Sequence, residues 1–140
     1  MEKYAARLYN EWKTHGKIII AVDYDSTISY WPSIDNKEDI ARTINLLQIA
    51  HATGAHIVIF TACSEDRFED IQKHCEEKKI PISGINKTPI NLPYGNNSKI
   101  YANIFLDDRG GLQEALNILE LAMYKIRGDE SKKLTLGEHC

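Results

Sequence analysis

The run Asp23-Tyr24-Asp25-Ser26-Thr27 sets two carboxyl groups two residues apart, and Asp107-Asp108 adds an adjacent pair far downstream. A free aspartate ionises near pH about 3.9, so at neutral pH four such groups in one place would repel one another. Compensating charge is then required. A hard divalent cation with oxygen ligands supplies it, and Mg²⁺ is typically held by one or two carboxylates together with a substrate phosphate. Thr61 offers a hydroxyl and Lys99 an ammonium group, both suited to phosphate oxygens. Taken singly, aspartates at such places are ordinary turn formers and helix caps. The ordered set of DxDxT, a Thr, a Lys and a DD pair is what points to chemistry.

These residues need elements that bring them together. Tyr4, Leu8 and Trp12 recur at helical spacing, with Ala5 and Tyr9 beside them, and predict a helix over about 2–15 that His15-Gly16 ends. Lys17 to Val22 is a short β-branched run that delivers Asp23 at its C-terminal end, as a buried strand would. Asp35 or Asn36 can cap a helix bearing Ile40, Ile44, Leu47 and Ala50, which Gly54 stops. Ile57 to Phe60 reads as a second strand with Thr61 at its end. Ser64 can cap a third helix with Phe68, Ile71 and Cys75, closed off by Pro81. Ile82 to Ile85 is a weaker third strand, and Asn86 to Ser98 a long loop rich in Asn, Pro and Gly. Ile104 to Leu106 is the fourth strand, ending in Asp107-Asp108. A last helix carries Leu112, Leu116, Leu119 and Met123, and 128–140 reads as a loose polar tail.

Strands that alternate with helices predict an α/β fold: a three-layer, Rossmann-like parallel sheet with helices on both faces, in a single domain over residues 1–127. Such sheets bind ligands beyond the carboxyl ends of their strands, where Asp23, Thr61 and Asp107 fall. The 140 residues are 43% apolar and 26% charged, which excludes disordered, collagen-like and disulfide-scaffold classes. Twenty acidic against seventeen basic residues leave a net charge of −3 and argue against long nucleic acid as a partner. No apolar run reaches the length of a membrane span, and no leader-like segment opens the chain. Cys63, Cys75 and Cys140 show neither CxxC spacing nor a zinc pattern, so reduced thiols in a cytoplasmic protein are expected.

Asp23-x-Asp25-x-Thr27, Thr61, Lys99 and Asp107-Asp108, in that order, resemble the four motifs of the haloacid dehalogenase-like (HAD) superfamily. The resemblance spans residues 17 to about 124. The stretch from Ser98 to Arg109 is similar to a group of small bacterial and phage hydrolase-like proteins. It implies a phosphatase that hydrolyses a phosphomonoester in two steps. Asp23 would be the nucleophile that forms an aspartyl-phosphate, and Asp25 the acid and base that serves the leaving oxygen and then water. Mg²⁺ would be bound by Asp23, the Asp25 main-chain carbonyl and Asp107, with Asp108 as a partner of Lys99 or of the metal's waters. Thr61 would hold phosphoryl oxygens and Lys99 would neutralise developing charge. Ser26, Thr27 and Arg109 are candidate substrate contacts.

The chain departs from that pattern in three places. Ser26 stands where family members often have Gly, which an ordinary backbone dihedral would tolerate. Thr61-Ala62-Cys63 lacks the Arg of Thr-x-Arg, for which Arg67 or Arg109 is a stand-in. The DD pair leaves the direct metal ligand open between Asp107 and Asp108. Only eleven residues, Ser26 to Asn36, follow Asp25 before the next helix, so no separate cap domain fits. An open site and a small phosphorylated substrate, a nucleotide or another metabolite, are therefore expected. Tyr30, Trp31 and Tyr94 could stack on a base or sugar, or simply pack. The N-terminal helix could dock on the domain or form a homo-oligomer contact. The alternative reading is a module of the same fold that binds phosphorylated ligands without turnover. A phospho-acceptor receiver domain also uses Asp, Thr and Lys, but there the acidic pair ends the first strand, whereas here it ends the last.

Overall fold

The computed structural model describes residues 2–87 and 101–138. The expectations for Tyr94, Lys99 and Cys140 lie outside those residues. Helix α1 spans Lys3–His15. The Glu2 side chain accepts the Tyr4 N–H at its start, and Gly16 closes it in the left-handed conformation with its N–H on the Trp12 carbonyl. Strand β1 follows at Ile18–Asp23, then α2 at Lys37–Ala52 and β2 at Ala55–Phe60. A 3-10 turn at Glu65–Arg67 leads into α3, Phe68–Glu77. Strand β3 is Gly84–Ile85, β4 is Ile104–Leu106, and α4 runs Leu112–Glu138.

The four strands form one all-parallel sheet in the order β3-β2-β1-β4. Five of the six β1 residues are buried. Side chains alternate along a strand, so Ile18, Ile20 and Val22 share one face while Ile19 and Ala21 share the other, and all five are buried. Both faces of the central strand are thus out of water. The first face joins Ala55, Ile57, Ile59 and Leu106 in a core with Leu8 and Trp12 of α1, Leu47 of α2, Ile71 of α3 and Leu116, Leu119 and Met123 of α4. Each such side chain contributes about 1.5–3 kcal/mol by leaving water. The expected Rossmann-like α/β fold is the one observed, and among the described residues no separate cap domain stands over the strand ends. None of the described helices is long and apolar enough to cross a membrane.

Four local readings change. Tyr4, placed on the apolar stripe of α1, stays 54% exposed with the Lys3 ammonium over its ring. Ser64 makes no capping bond; its hydroxyl turns to Asp66, and a 3-10 turn precedes α3. The third strand shrinks to two residues. The expected loose tail from 128 is instead helical to Glu138. A glycine inside a helix costs about 1 kcal/mol, and contacts from α1 and Thr53 offset it. The Tyr9 hydroxyl donates to the Asp129 carboxylate, the Lys125 ammonium lies 4.6 Å from the Tyr9 ring centre, and Arg127 donates to the Thr53 hydroxyl at 2.9 Å. Helix α1 therefore docks on α4 of its own domain.

Candidate active site

The parallel register delivers the acidic groups. Asp23 closes β1 opposite Phe60 of β2, and Val22 pairs with Leu106 of β4. One further step along that register sets Asp107 beside Asp23, and Asp108 follows. Asp23, Asp107 and Asp108 each offer a carboxylate oxygen, all within 4.8 Å of one another. Asp23 and Asp107 are half-buried, while Asp108 is exposed.

This crowding changes the chemistry of Asp23. Its carboxyl is pushed up to about 7, first by burial, then by a hydrogen bond to Asp108, then by the charges of Asp107, Asp108 and Asp25. A carboxyl–carboxyl hydrogen bond requires a proton between them. A proton or a cation among the three groups would relieve their mutual repulsion.

Short local bonds fix the acidic groups. Asp107 Oδ1 accepts the Arg109 N–H at 3.0 Å. The Thr27 hydroxyl accepts the Asp108 N–H at 3.2 Å and donates to Asp108 Oδ1 at 3.4 Å. Thr27 is 0% exposed. It cannot reach a ligand in solution, so the substrate contact expected of it is replaced by a positioning role for Asp108. The loop between Asp23 and Thr27 turns back on itself. The Tyr24 carbonyl accepts N–H groups from Ile28 and Ser29, and the Ser26 N–H donates to the Ser29 carbonyl. That turn puts Ser26 at φ +63°, in the left-handed region. The ordinary dihedral expected there is not found. A non-glycine residue in this region carries a cost of about 1–2 kcal/mol.

Asp25 is exposed, outside the three-carboxylate group but near enough for its charge to act on Asp23. Its backbone bridges to Ser29. Thr61 lies one residue past Phe60, on the strand next to Asp23. Its hydroxyl accepts the Cys63 N–H at 3.2 Å. Arg67 donates to the Cys63 sulfur at 3.5 Å, which brings a guanidinium beside this loop. Arg109 is exposed, and the bond it makes here is through its backbone N–H, not through its guanidinium.

Two positioning residues escape the sequence reading. The Asn86 side chain accepts the Thr61 N–H at 2.9 Å and donates to the Thr61 carbonyl at 3.0 Å, a two-point clamp just past the end of β2. Its φ of +53° is one that Asn tolerates better than most residues, the only trace such a clamp leaves in sequence. The second is His74 on α3. Its Nδ1 is 2.9 Å from the hydroxyl of Tyr24, the residue between the two leading aspartates. The rings meet edge to face with centres 5.6 Å apart. Burial pushes the Tyr24 hydroxyl up and His74 down, so the uncharged forms of both are favoured.

Fold and site together define an α/β protein of Rossmann-like class whose acidic groups gather at the carboxyl ends of adjacent parallel strands. No family model and no curated protein matches the chain. Among solved structures, a conserved protein from Bacteroides thetaiotaomicron is similar with a TM-score of 0.54 and 22% identity, covering 67% of this chain and 78% of that one. That likeness is one of fold.

Proposed function

We propose that the protein is a magnesium-dependent phosphohydrolase of the haloacid dehalogenase-like type, acting in the cytoplasm on a small phosphomonoester. One observation carries this reading: Asp23, Asp107 and Asp108 converge within 4.8 Å where a parallel α/β sheet presents its ligand site. An all-carboxylate donor set suits a hard cation such as Mg²⁺, which would neutralise the acidic groups and draw the phosphate to them when bound.

In this reading an Asp23 oxygen attacks phosphorus. The bond from phosphorus to the leaving oxygen breaks, and that oxygen takes a proton from Asp25. The aspartyl-phosphate is then attacked by water, whose proton Asp25 removes. Inorganic phosphate leaves and Asp23 is restored. The Thr61 hydroxyl donates to a phosphoryl oxygen, with Asn86 keeping the Thr61 backbone in place. Lys99 and Arg67 supply positive charge, Lys99 by its place in the motif order and Arg67 by its hold on Cys63.

The test is hydrolysis of p-nitrophenyl phosphate and a panel of phosphorylated metabolites with Mg²⁺ and with EDTA. Turnover should require the metal. Asp23→Asn should lower it by about a thousandfold or more while the circular dichroism spectrum stays native. A wild-type protein that binds phosphorylated ligands but never turns them over would replace this reading with that of a binding module.

A further inference from the structure

A cavity of about 460 Å³ opens beside the acidic cluster, shares Asp108 with it and is also lined by Ser26. Its walls come from the N-terminal turns of α2 and α4 and the segment before α2. A volume of this order is typical of small-molecule sites. Its composition is lopsided. Ile34, Ile40 and Leu112 line it together with Asp35, Asp39 and Glu114, and among the described residues no lysine or arginine does.

Two effects compete over the sign of a ligand's charge. Each helix N-terminus carries roughly half a positive charge, about one in total. Against that stand the three carboxylates Asp35, Asp39 and Glu114, apart from the acidic cluster itself. Asn36 also occupies free N–H groups of α2, since its side chain accepts from Glu38 and Asp39. The basic side chains at the start of α2 have partners of their own: the Lys37 ammonium lies 5.6 Å from the Tyr30 ring centre, and Arg42 donates to the lining residue Gln113 at 3.0 Å and to Asn117 at 2.8 Å and pairs with Glu120 at 3.6 Å. Among the described residues neither Asp39 nor Glu114 has an ion-pair partner. Negative charge wins, over an apolar lining.

We infer that this cavity receives the leaving group of the phosphomonoester and selects one that carries a cationic amine on a short apolar stem, a phosphorylated amino alcohol rather than a nucleotide. The inference rests on the phosphohydrolase reading and narrows its substrate. A nucleoside polyphosphate would set further anions against three carboxylates. An ammonium group finds opposite charge there, while its methylene or methyl groups meet Ile34, Ile40 and Leu112.

The experiment compares kcat/KM for phosphocholine, for 3,3-dimethylbutyl phosphate (its uncharged carbon isostere) and for AMP, with p-nitrophenyl phosphate as reference. The cation should be preferred over the isostere by about tenfold, the factor that 1.4 kcal/mol represents. The double variant Asp39→Asn, Glu114→Gln should bring that ratio close to one. Calorimetric titration with phosphocholine and the isostere reads the same preference without turnover. Equal treatment of the two by the wild type, a preference for AMP, or a ratio unmoved by the double variant would overturn the inference while leaving the phosphatase intact. A protein that turns over none of these esters but still binds phosphocholine over its isostere would sink the catalytic reading and keep the cavity's selectivity.

Discussion

The two ends of the sheet obey opposite rules. Where the strands begin, polar groups find partners. Trp12 is 1% exposed and its indole N–H donates to the Thr53 carbonyl at 3.1 Å; the Thr53 hydroxyl donates to the Ile49 carbonyl and accepts from Arg127. The Tyr9 hydroxyl holds Asp129 between two lysines, Lys13 and Lys125, whose ammonium groups face the Tyr9 ring. The backbones there come so close that a Cβ on Gly54, at φ +104°, would lie 2.7 Å from the Gly16 carbonyl oxygen. Where the strands end, like charges are pressed together and Ser26 sits in a disfavoured conformation. One end is arranged for stability. The other holds unfavourable contacts that a bound cation and substrate would relieve, and strain of this kind concentrates at functional sites.

Breaking the relaxed end should cost the most folding energy. Trp12→Ala removes a buried ring and a buried hydrogen bond, and chemical denaturation should show a loss of about 3–5 kcal/mol. The surviving folded fraction should keep its Mg²⁺ affinity, because the Trp12 indole bonds to Thr53 before β2, away from the carboxyl ends of the strands. Breaking a support at the strained end should do the reverse. Thr27→Val keeps the buried shape but frees Asp108, and Mg²⁺ binding or turnover should weaken by about 10–100-fold with a small change in stability.

Charge crowding makes a prediction with a definite sign. Asp23 sits at about 7 against an ordinary value near 3.8. Between those values the folded chain holds a proton that the unfolded chain has released, so metal-free stability contributed by Asp23 falls as pH rises from about 4 through 7. The melting temperature of wild type relative to Asp23→Asn should therefore drop across that window, and added Mg²⁺ should close the gap. A difference that stays flat in EDTA would mean that neither burial nor the neighbouring carboxylates raise the affinity of Asp23 for a proton. The smallest expected effect is Ser26→Gly, which releases the left-handed strain and should stabilise the chain by about 1 kcal/mol, read as a shift of the denaturation midpoint.

Much of the site is written in residue types. Asp23, Asp107 and Asp108 were legible because each follows a short β-branched or aromatic strand, and parallel strands align their carboxyl ends. A cap at Asp35 or Asn36 was legible because both sit just before a helical apolar period, and the structure chose Asn36. The roles of Thr27 and Asn86 were not. Both act through bonds to residues far away in sequence, Asp108 and Thr61, and a hydroxyl or amide does not advertise which distant backbone it will meet. Helix α4 ran past its expected end for the same reason: Gly128 and the polar residues after it oppose a helix locally, and Tyr9 and Thr53, both distant in sequence, reverse that preference.

The sequence alone determined the alternation of strands and helices and the placing of acidic groups at strand ends, because hydrophobic period and β-branching are local properties. Tertiary structure decided the rest. Only the parallel register brings Asp23 within reach of the 107–108 pair and raises its affinity for a proton, and only the meeting of two helix N-termini beside Asp108 forms a cavity lined by Asp35, Asp39 and Glu114. Distance and desolvation set those properties, and neither exists until the chain has folded.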